Sequence, residues 1–325
     1  MRRYFLVPGS IFALSALLWA MPTTISVPVR RDLSLGRADS ALQRLEAALA
    51  QNPNDAEAHN LRCRVYYQEE QWDQAISDCQ AAVKLDPSNS NDHLWLGRAY
   101  GQKAAHVSLV SGYKLAKKVA AEFQQAVRLD PHNADALADL GEFEVSAPGV
   151  VGGGLKRAEG VELQLQSVNA GDALTLAARI AEKKKDYVMA ESYYKAAIAQ
   201  ASDPADGWMD LAAFYQRRGR TADTVAAAQT GAFLDRRHGI ALVDGATTLA
   251  RAGQEPQTAI HWLEEYLDSH AQSEDAPVFA VRAQLARLLQ EQGDTQGAQE
   301  QIAAAHALAS DYRIPPPNSS ARAGR

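Results

Sequence analysis

Residues 56–87, AEAHNLRCRVYYQEEQWDQAISDCQAAVKLDP, decide the reading of this chain. His59, Arg62-Cys63 and Tyr66 recur at three- and four-residue steps ahead of a polar stretch; Ala75, Cys79 and Ala82 do so behind it, and Pro87 closes the run. Residues at those steps share one face of a helix, so the stretch predicts two helices joined by a tight turn. A single hairpin of this size has too little core of its own and must stack on copies of itself.

Copies lie on both sides. Arg37 to Asn52 carries Ala41, Leu45 and Ala48 before Pro53, at the offsets of Ala75, Cys79, Ala82 and Pro87, and reads as a half unit (36–53) whose first helix is missing. Pro53 to Pro87 spans 34 residues. The next unit runs from His93, Leu96-Gly97 and Tyr100 to Val119, Phe123 and Ala126 before Pro131, a period of 44 with an insertion around 102–113. Ser108 and Ser111-Gly112 punctuate it, so both helices are expected to run on into a protruding tip. The third unit starts at Leu137, Leu140-Gly141 and is interrupted by Ala147-Pro148 and the glycines 149 and 152–154, which cannot sit inside a stable helix. Later units pair Leu174 and Ala177-Ala178 with Ala190, Tyr194 and Ala197, then Trp208, Leu211 and Tyr215 with Val225 and Ala228. Val243 to Ala250 pairs with Ala259, Leu263 and Tyr266, and Leu285, Ala286 and Leu289 pair with Ala298, Ile302 and Ala305. The count is a half unit and about seven hairpins over 36–309. The tail 310–325, with Pro315-Pro316-Pro317, has no apolar period and is expected to be disordered.

The offsets at Ala56–Pro87 and His93–Tyr100 resemble the tetratricopeptide repeat family. The resemblance implies an all-α protein, an α-solenoid wound as a right-handed superhelix, whose first helices line a concave face that holds a protein or peptide. It implies a scaffold that is not an enzyme and has no cofactor. The inward column of first-helix residues reads Arg64, Arg98, Glu142, Arg179, Ala213, Thr248, Arg287. With Asn60 and Tyr67, the arginines of this column (Arg64, Arg98, Arg179, Arg287) suit an acidic partner, because a guanidinium holds a carboxylate by two parallel hydrogen bonds. The competing reading is a set of surface ion pairs to neighbours such as Glu57 or Asp92. The lysine and asparagine set of the family's carboxylate clamp is absent. The chain also looks like a bacterial envelope-associated repeat protein.

The rest of the sequence narrows the function by exclusion. Net charge is -6 and the cations are dispersed, which argues against nucleic acid as a partner. Arg2-Arg3 precede an apolar run, Ile11 to Ala20, of the size of a secretory signal, with a cleavage point after Ser26; counted as residues 4–20 the same run is a membrane anchor. The expected location is the periplasm or cell envelope. Arg2-Arg3-Tyr4-Phe5-Leu6 resembles a twin-arginine signal without its usual flanks. Cys63 and Cys79 fall on the two helices of one hairpin; two buried thiols are the preferred reading, with a disulfide as the alternative in an oxidising compartment. Gly149 to Lys156 departs from a phosphate-binding loop, since Leu155 precedes the lysine, Arg157 takes the hydroxyl position and no strand precedes it. The eight histidines show no metal spacing, and no catalytic signature is present. Two alternatives to a scaffold are a self-assembly module built on the insertions, and a carrier of a small ligand such as a glycan near Trp95, Tyr100 and Tyr113. In an open array the two terminal units have one neighbour each and should fray first.

Overall fold

The computed structural model describes residues 25–314. Residues 1–24, most of the segment 1–26 expected to be a signal or anchor, and residues 315–325 of the expected tail lie outside the described residues. Sixteen α-helices follow one another in antiparallel pairs: α1 (Ser26–Ser34) and α2 (Ala38–Gln51), α3 (Ala56–Gln68) and α4 (Trp72–Leu85), α5 (Ser90–Ala105) and α6 (Leu109–Leu129), α7 (Ala134–Ser146) and α8 (Leu155–Gln166), α9 (Ala170–Lys183) and α10 (Tyr187–Gln200), α11 (Ala205–Arg217) and α12 (Thr221–Leu234), α13 (Ile240–Ala252) and α14 (Pro256–Asp268), α15 (Val278–Glu291) and α16 (Thr295–His306). A short 3-10 turn, Gly149–Val151, sits between α7 and α8. Among the described residues there is no strand, and no helix is long and apolar enough to cross a membrane.

Local chemistry sets these boundaries. Asp55, Asn133, Asp186 and Asp294 accept from a backbone N–H three residues on, and Asn89 does so two residues on, which satisfies donors that a helix start leaves free. Ahead of two of these caps the aspartates before Pro87 and Pro131 fold the chain through an Asx turn: Ser88 N–H donates to Asp86 and His132 N–H to Asp130. Within the hairpins the first helix commonly ends on a left-handed residue. Gly36, Gly219, Gly253 and Gly293 take that position, but so do Glu70 and Lys185.

Packing follows the alternation of small and large side chains. A methyl on Gly97 would meet the Phe123 ring at 2.5 Å, so only glycine lets α5 and α6 approach this closely. His59 and His93 occupy equivalent places in successive units and bridge alike. His59 Nδ1 faces Asp78 at 2.8 Å and its Nε2 the Pro53 carbonyl, while His93 Nδ1 faces Glu122 at 2.6 Å and its Nε2 the Pro87 carbonyl. The insertion extends α5 and α6 into the expected protruding hairpin, whose turn is 106–108.

Four expectations are corrected. The half unit 36–53 is a complete hairpin: α1 supplies its first helix and buries Val29 and Leu33, which its short, charge-interrupted sequence concealed. Among the described residues the array therefore has eight hairpins. Residues 310–314 are ordered, because Tyr312 stacks on Phe279 with ring centroids 4.8 Å apart and Ser310 bonds to Asp39. Cys63 and Cys79 form a disulfide across α3 and α4, at a Cα separation of 5.3 Å. Lastly, the terminal units do not have one neighbour each. Val29, Leu33, Leu45, Phe279, Ala305 and Tyr312 share one core, Asp39 N–H donates to the Leu308 carbonyl at 3.1 Å, and the Gly36 backbone lies against Val278. The solenoid closes on itself.

Candidate functional site

Closure turns the concave face into an enclosed surface lined by the first helices of the hairpins. Two side chains on one such helix that differ by seven residues are two turns apart on one face. The predicted inward column therefore has a companion seven residues upstream: Glu57, Asn91, Asp135, Asp172 and Asp206 lie ahead of Arg64, Arg98, Glu142, Arg179 and Ala213. Carboxylates there favour the helix N-termini, and they also face the enclosed space.

Three of the four arginines, Arg64, Arg98 and Arg179, are not free. Arg64 grips Glu274 with both Nε, at 2.6 Å, and its terminal nitrogen. Glu274 belongs to residues 269–277, a strap between α14 and α15 that crosses onto α3 and α5. Tyr266 and Gln68 hold the strap. The Tyr266 hydroxyl donates to the Ala276 carbonyl at 2.7 Å and accepts from Ser273 N–H, and Gln68 Nε2 donates to the Glu274 carbonyl at 2.9 Å. Arg98 pairs with Asp139 at 2.5 Å. The Arg64 and Arg98 guanidinium groups lie 4.9 and 4.8 Å from the Trp95 ring centre, a double cation–π stack beneath the strap. Arg179 holds Glu142 by two bonds, 3.0 and 2.7 Å, and also reaches Glu182. Arg287 instead lines a depression of 340 Å³ with Arg251, Gln284 and Tyr312. Arg64, Arg98 and Arg179 are thus neutralised internally, by Glu274, Asp139 and Glu142 and not by Glu57 or Asp92, and the strap already occupies the place foreseen for an acidic partner at Arg64.

Apart from Arg251 and Arg287, which line that depression without a described carboxylate within 4 Å, what remains uncompensated on this face is negative. Among the described residues, Asp135, Asp172, Asp206, Asp210, Asp244 and Asp275 have no cation within 4 Å; Arg64, Arg98, Arg179 and Arg217 are spent on other carboxylates, and Arg251 acts on Asp244 only from a distance. Asp206, Asp210 and Asp244 are reached by solvent, but the ring encloses them on most sides. Lost hydration, with their mutual repulsion behind it, pushes Asp210 up to about 6 and Asp244 up to about 7. A cation entering this space would favour the charged form of both.

Of the other predicted residues, Asn60 is 6 % exposed, and its Nδ2 has no partner; Asp92, 2 % exposed, has an unpartnered Oδ2 and a carboxyl raised to about 7 by burial. Both line a cavity of 440 Å³ with Arg64, Trp95, Arg98 and Asp275. Tyr67 packs edge-on against Trp72 and Trp95, and its hydroxyl accepts from Gln102 at 3.2 Å. Asn60, Arg64, Tyr67 and Arg98 are therefore brought together around Trp95, while Arg179 and Arg287 lie elsewhere on the ring. Trp95, Tyr100 and Tyr113 are not assembled into one pocket: Tyr100 is core and Tyr113 is on the outward tip. Sequence reasoning missed Glu274; the sign was the nine-residue connection from Asp268 to Val278, longer than the turns inside most other hairpins. It also missed the aspartate row, legible as the seven-residue offset from the column.

A tetratricopeptide repeat family model matches residues 29–90. No curated protein sequence matches the chain. Among solved structures, a thermophilic tetratricopeptide repeat protein of Thermus thermophilus is 21% identical at a TM-score of 0.49, over 58% of this chain and 98% of that one. A tetratricopeptide repeat protein from Parabacteroides merdae is 13% identical at a TM-score of 0.49, over 86% and 97% of the two chains.

Proposed function

We propose that this chain, a tetratricopeptide repeat protein, is a non-catalytic scaffold that holds a lysine- or arginine-bearing segment of a partner protein against the enclosed face of α7, α9, α11 and α13. Tetratricopeptide repeats generally mediate protein–protein contact. The observation that supports this choice of partner is the row of carboxylates without a cation within 4 Å, Asp135, Asp172, Asp206, Asp210 and Asp244, beside Arg98, Arg179 and Arg217, which are engaged elsewhere. A cationic segment would gain charge-assisted hydrogen bonds where the protein supplies none of its own. The Cys63–Cys79 disulfide supports a place in an oxidising compartment such as the bacterial envelope.

The test is carbodiimide crosslinking of the full-length protein in its native envelope fraction, which joins carboxylates to lysines in contact, followed by mass spectrometry. Crosslinks from α11 and α13 to lysines of one other protein, lost in the variant carrying Asp206→Asn, Asp210→Asn and Asp244→Asn, are expected. Crosslinks that survive that variant, or that avoid these helices, overturn the assignment.

A further inference from the structure

The tip of the α5–α6 hairpin is apolar, basic and outside every site described above. Leu109 is 94 % exposed, Val110 71 % and, from the loop beside them, Val150 72 %. Tyr113 ties the two segments together, its hydroxyl 3.4 Å from the Val150 carbonyl. From residue 103 to residue 121 the chain holds Lys103, Lys114, Lys117 and Lys118 and not one acidic residue, in a protein of net charge -6. Lys103 is engaged by Asp73. Lys117 lies over the Tyr113 ring at 4.7 Å and Lys118 over Tyr100 at 4.8 Å, so both keep a charged face toward solvent, as does exposed Lys114. Lys156, exposed on the neighbouring loop side, adds a further cation.

The order of these groups along the protrusion carries the argument. Helix α6 rises about 1.5 Å per residue, so Lys114 stands roughly 7 Å, and Lys117 and Lys118 roughly 13 Å, behind Leu109. The sequence from the apex is aliphatic, then tyrosine, then lysine. A bilayer presents its chemistry in the same order from within: hydrocarbon, an interface that favours tyrosine, and a headgroup layer that attracts cations when it is anionic. A second protein is a poorer match, because a stable protein interface needs roughly 800 Å² from each partner, and three aliphatic side chains on a narrow protrusion do not provide it. We propose that the Leu109–Val110–Val150 tip inserts into an anionic lipid surface, with Lys114, Lys117 and Lys118 on the headgroups, and so sets the ring's enclosed face at a fixed stand-off from the membrane.

The experiment is co-sedimentation of the full-length protein with phosphatidylcholine vesicles, with and without phosphatidylglycerol, comparing wild type, Leu109→Glu/Val110→Glu and Lys114→Glu/Lys117→Glu. Wild type should bind the anionic vesicles at least about tenfold more tightly than the neutral ones, since each lysine near such a surface contributes on the order of 1 kcal/mol. Each variant should lose about tenfold or more while its helical circular dichroism and melting temperature stay unchanged. Three results overturn the proposal: no preference for phosphatidylglycerol, binding undiminished in Leu109→Glu/Val110→Glu, which places it elsewhere in the chain, or a dimer in sedimentation velocity that this variant abolishes, which makes a second copy the occupant.

Discussion

At Lys185 the backbone holds φ at 65°, in the turn between α9 and α10, with an exposed side chain. A left-handed conformation costs a non-glycine residue about 1–2 kcal/mol, partly offset by the freedom a glycine loses on folding. Lys185→Gly should therefore raise stability by roughly 0.5–1 kcal/mol, read as a higher urea midpoint; an unchanged midpoint would show the turn to be unstrained. Arg64 behaves differently, since its carboxylate partner is half-buried. Arg64→Ala should leave Glu274 without its cation and destabilise the protein by about 2 kcal/mol, and release of the strap should appear as faster amide exchange across 269–277. At Asp210 and Asp244 the folded state raises both carboxyls well above the ordinary aspartate range. The folded protein then binds more protons than the unfolded chain between about pH 4 and 7, so this pair's contribution to stability falls as pH rises through that window and is level above it. Asp210→Asn/Asp244→Asn should flatten that slope. The column and its upstream aspartates were readable from helical spacing; the partner of each charge was not, because a side chain reaches across units that sequence order separates.

Within the element α3–α4, two bridges act in parallel. The disulfide ties Cys63 to Cys79, and Asp78 next to it accepts from both Arg62 nitrogens at 2.7 Å and faces His59. Closing a loop of this length restricts the unfolded chain by about 3 kcal/mol. Cys63→Ala/Cys79→Ala should lower stability by that order, and the same loss on reduction of wild type, absent from the double variant, is the check. The hairpin boundaries followed from the period of apolar residues and from the prolines that close the early units. Helix α1 did not, since Arg30, Arg31 and Asp32 break its apolar pattern; its burial depends on Leu33 meeting residues from the other end of the chain.

Over the whole molecule the decisive contact joins the first and last hairpins. Tyr312 is buried against Phe279 in a core shared with α1 and α2. Tyr312→Ala should destabilise by about 3 kcal/mol, and hydrogen exchange should accelerate together in α1–α2 and α15–α16; acceleration confined to the last hairpin would mean an open array. Glu69 lies at this junction, 2 % exposed with Oε1 unpartnered, and burial, reinforced by Asp39 and Asp311, raises its carboxyl to about 7. Native Glu69 holds a proton that the unfolded chain releases from about pH 4 upward, so closure weakens as pH rises from about 4 to 7. Glu69→Gln should remove that dependence.

Residue spacing alone determined that this chain is a stack of helical hairpins and where most of them begin and end, because these properties are local and repeat with the chain; which face of the first helices looks inward came from the family resemblance. Tertiary structure decided that the stack closes, that Glu274 sits on Arg64 some two hundred residues away, that the cysteines are joined, and that the enclosed face is left acidic. Those outcomes depend on the small rotation between successive hairpins, accumulated over eight of them, and no single unit encodes that sum.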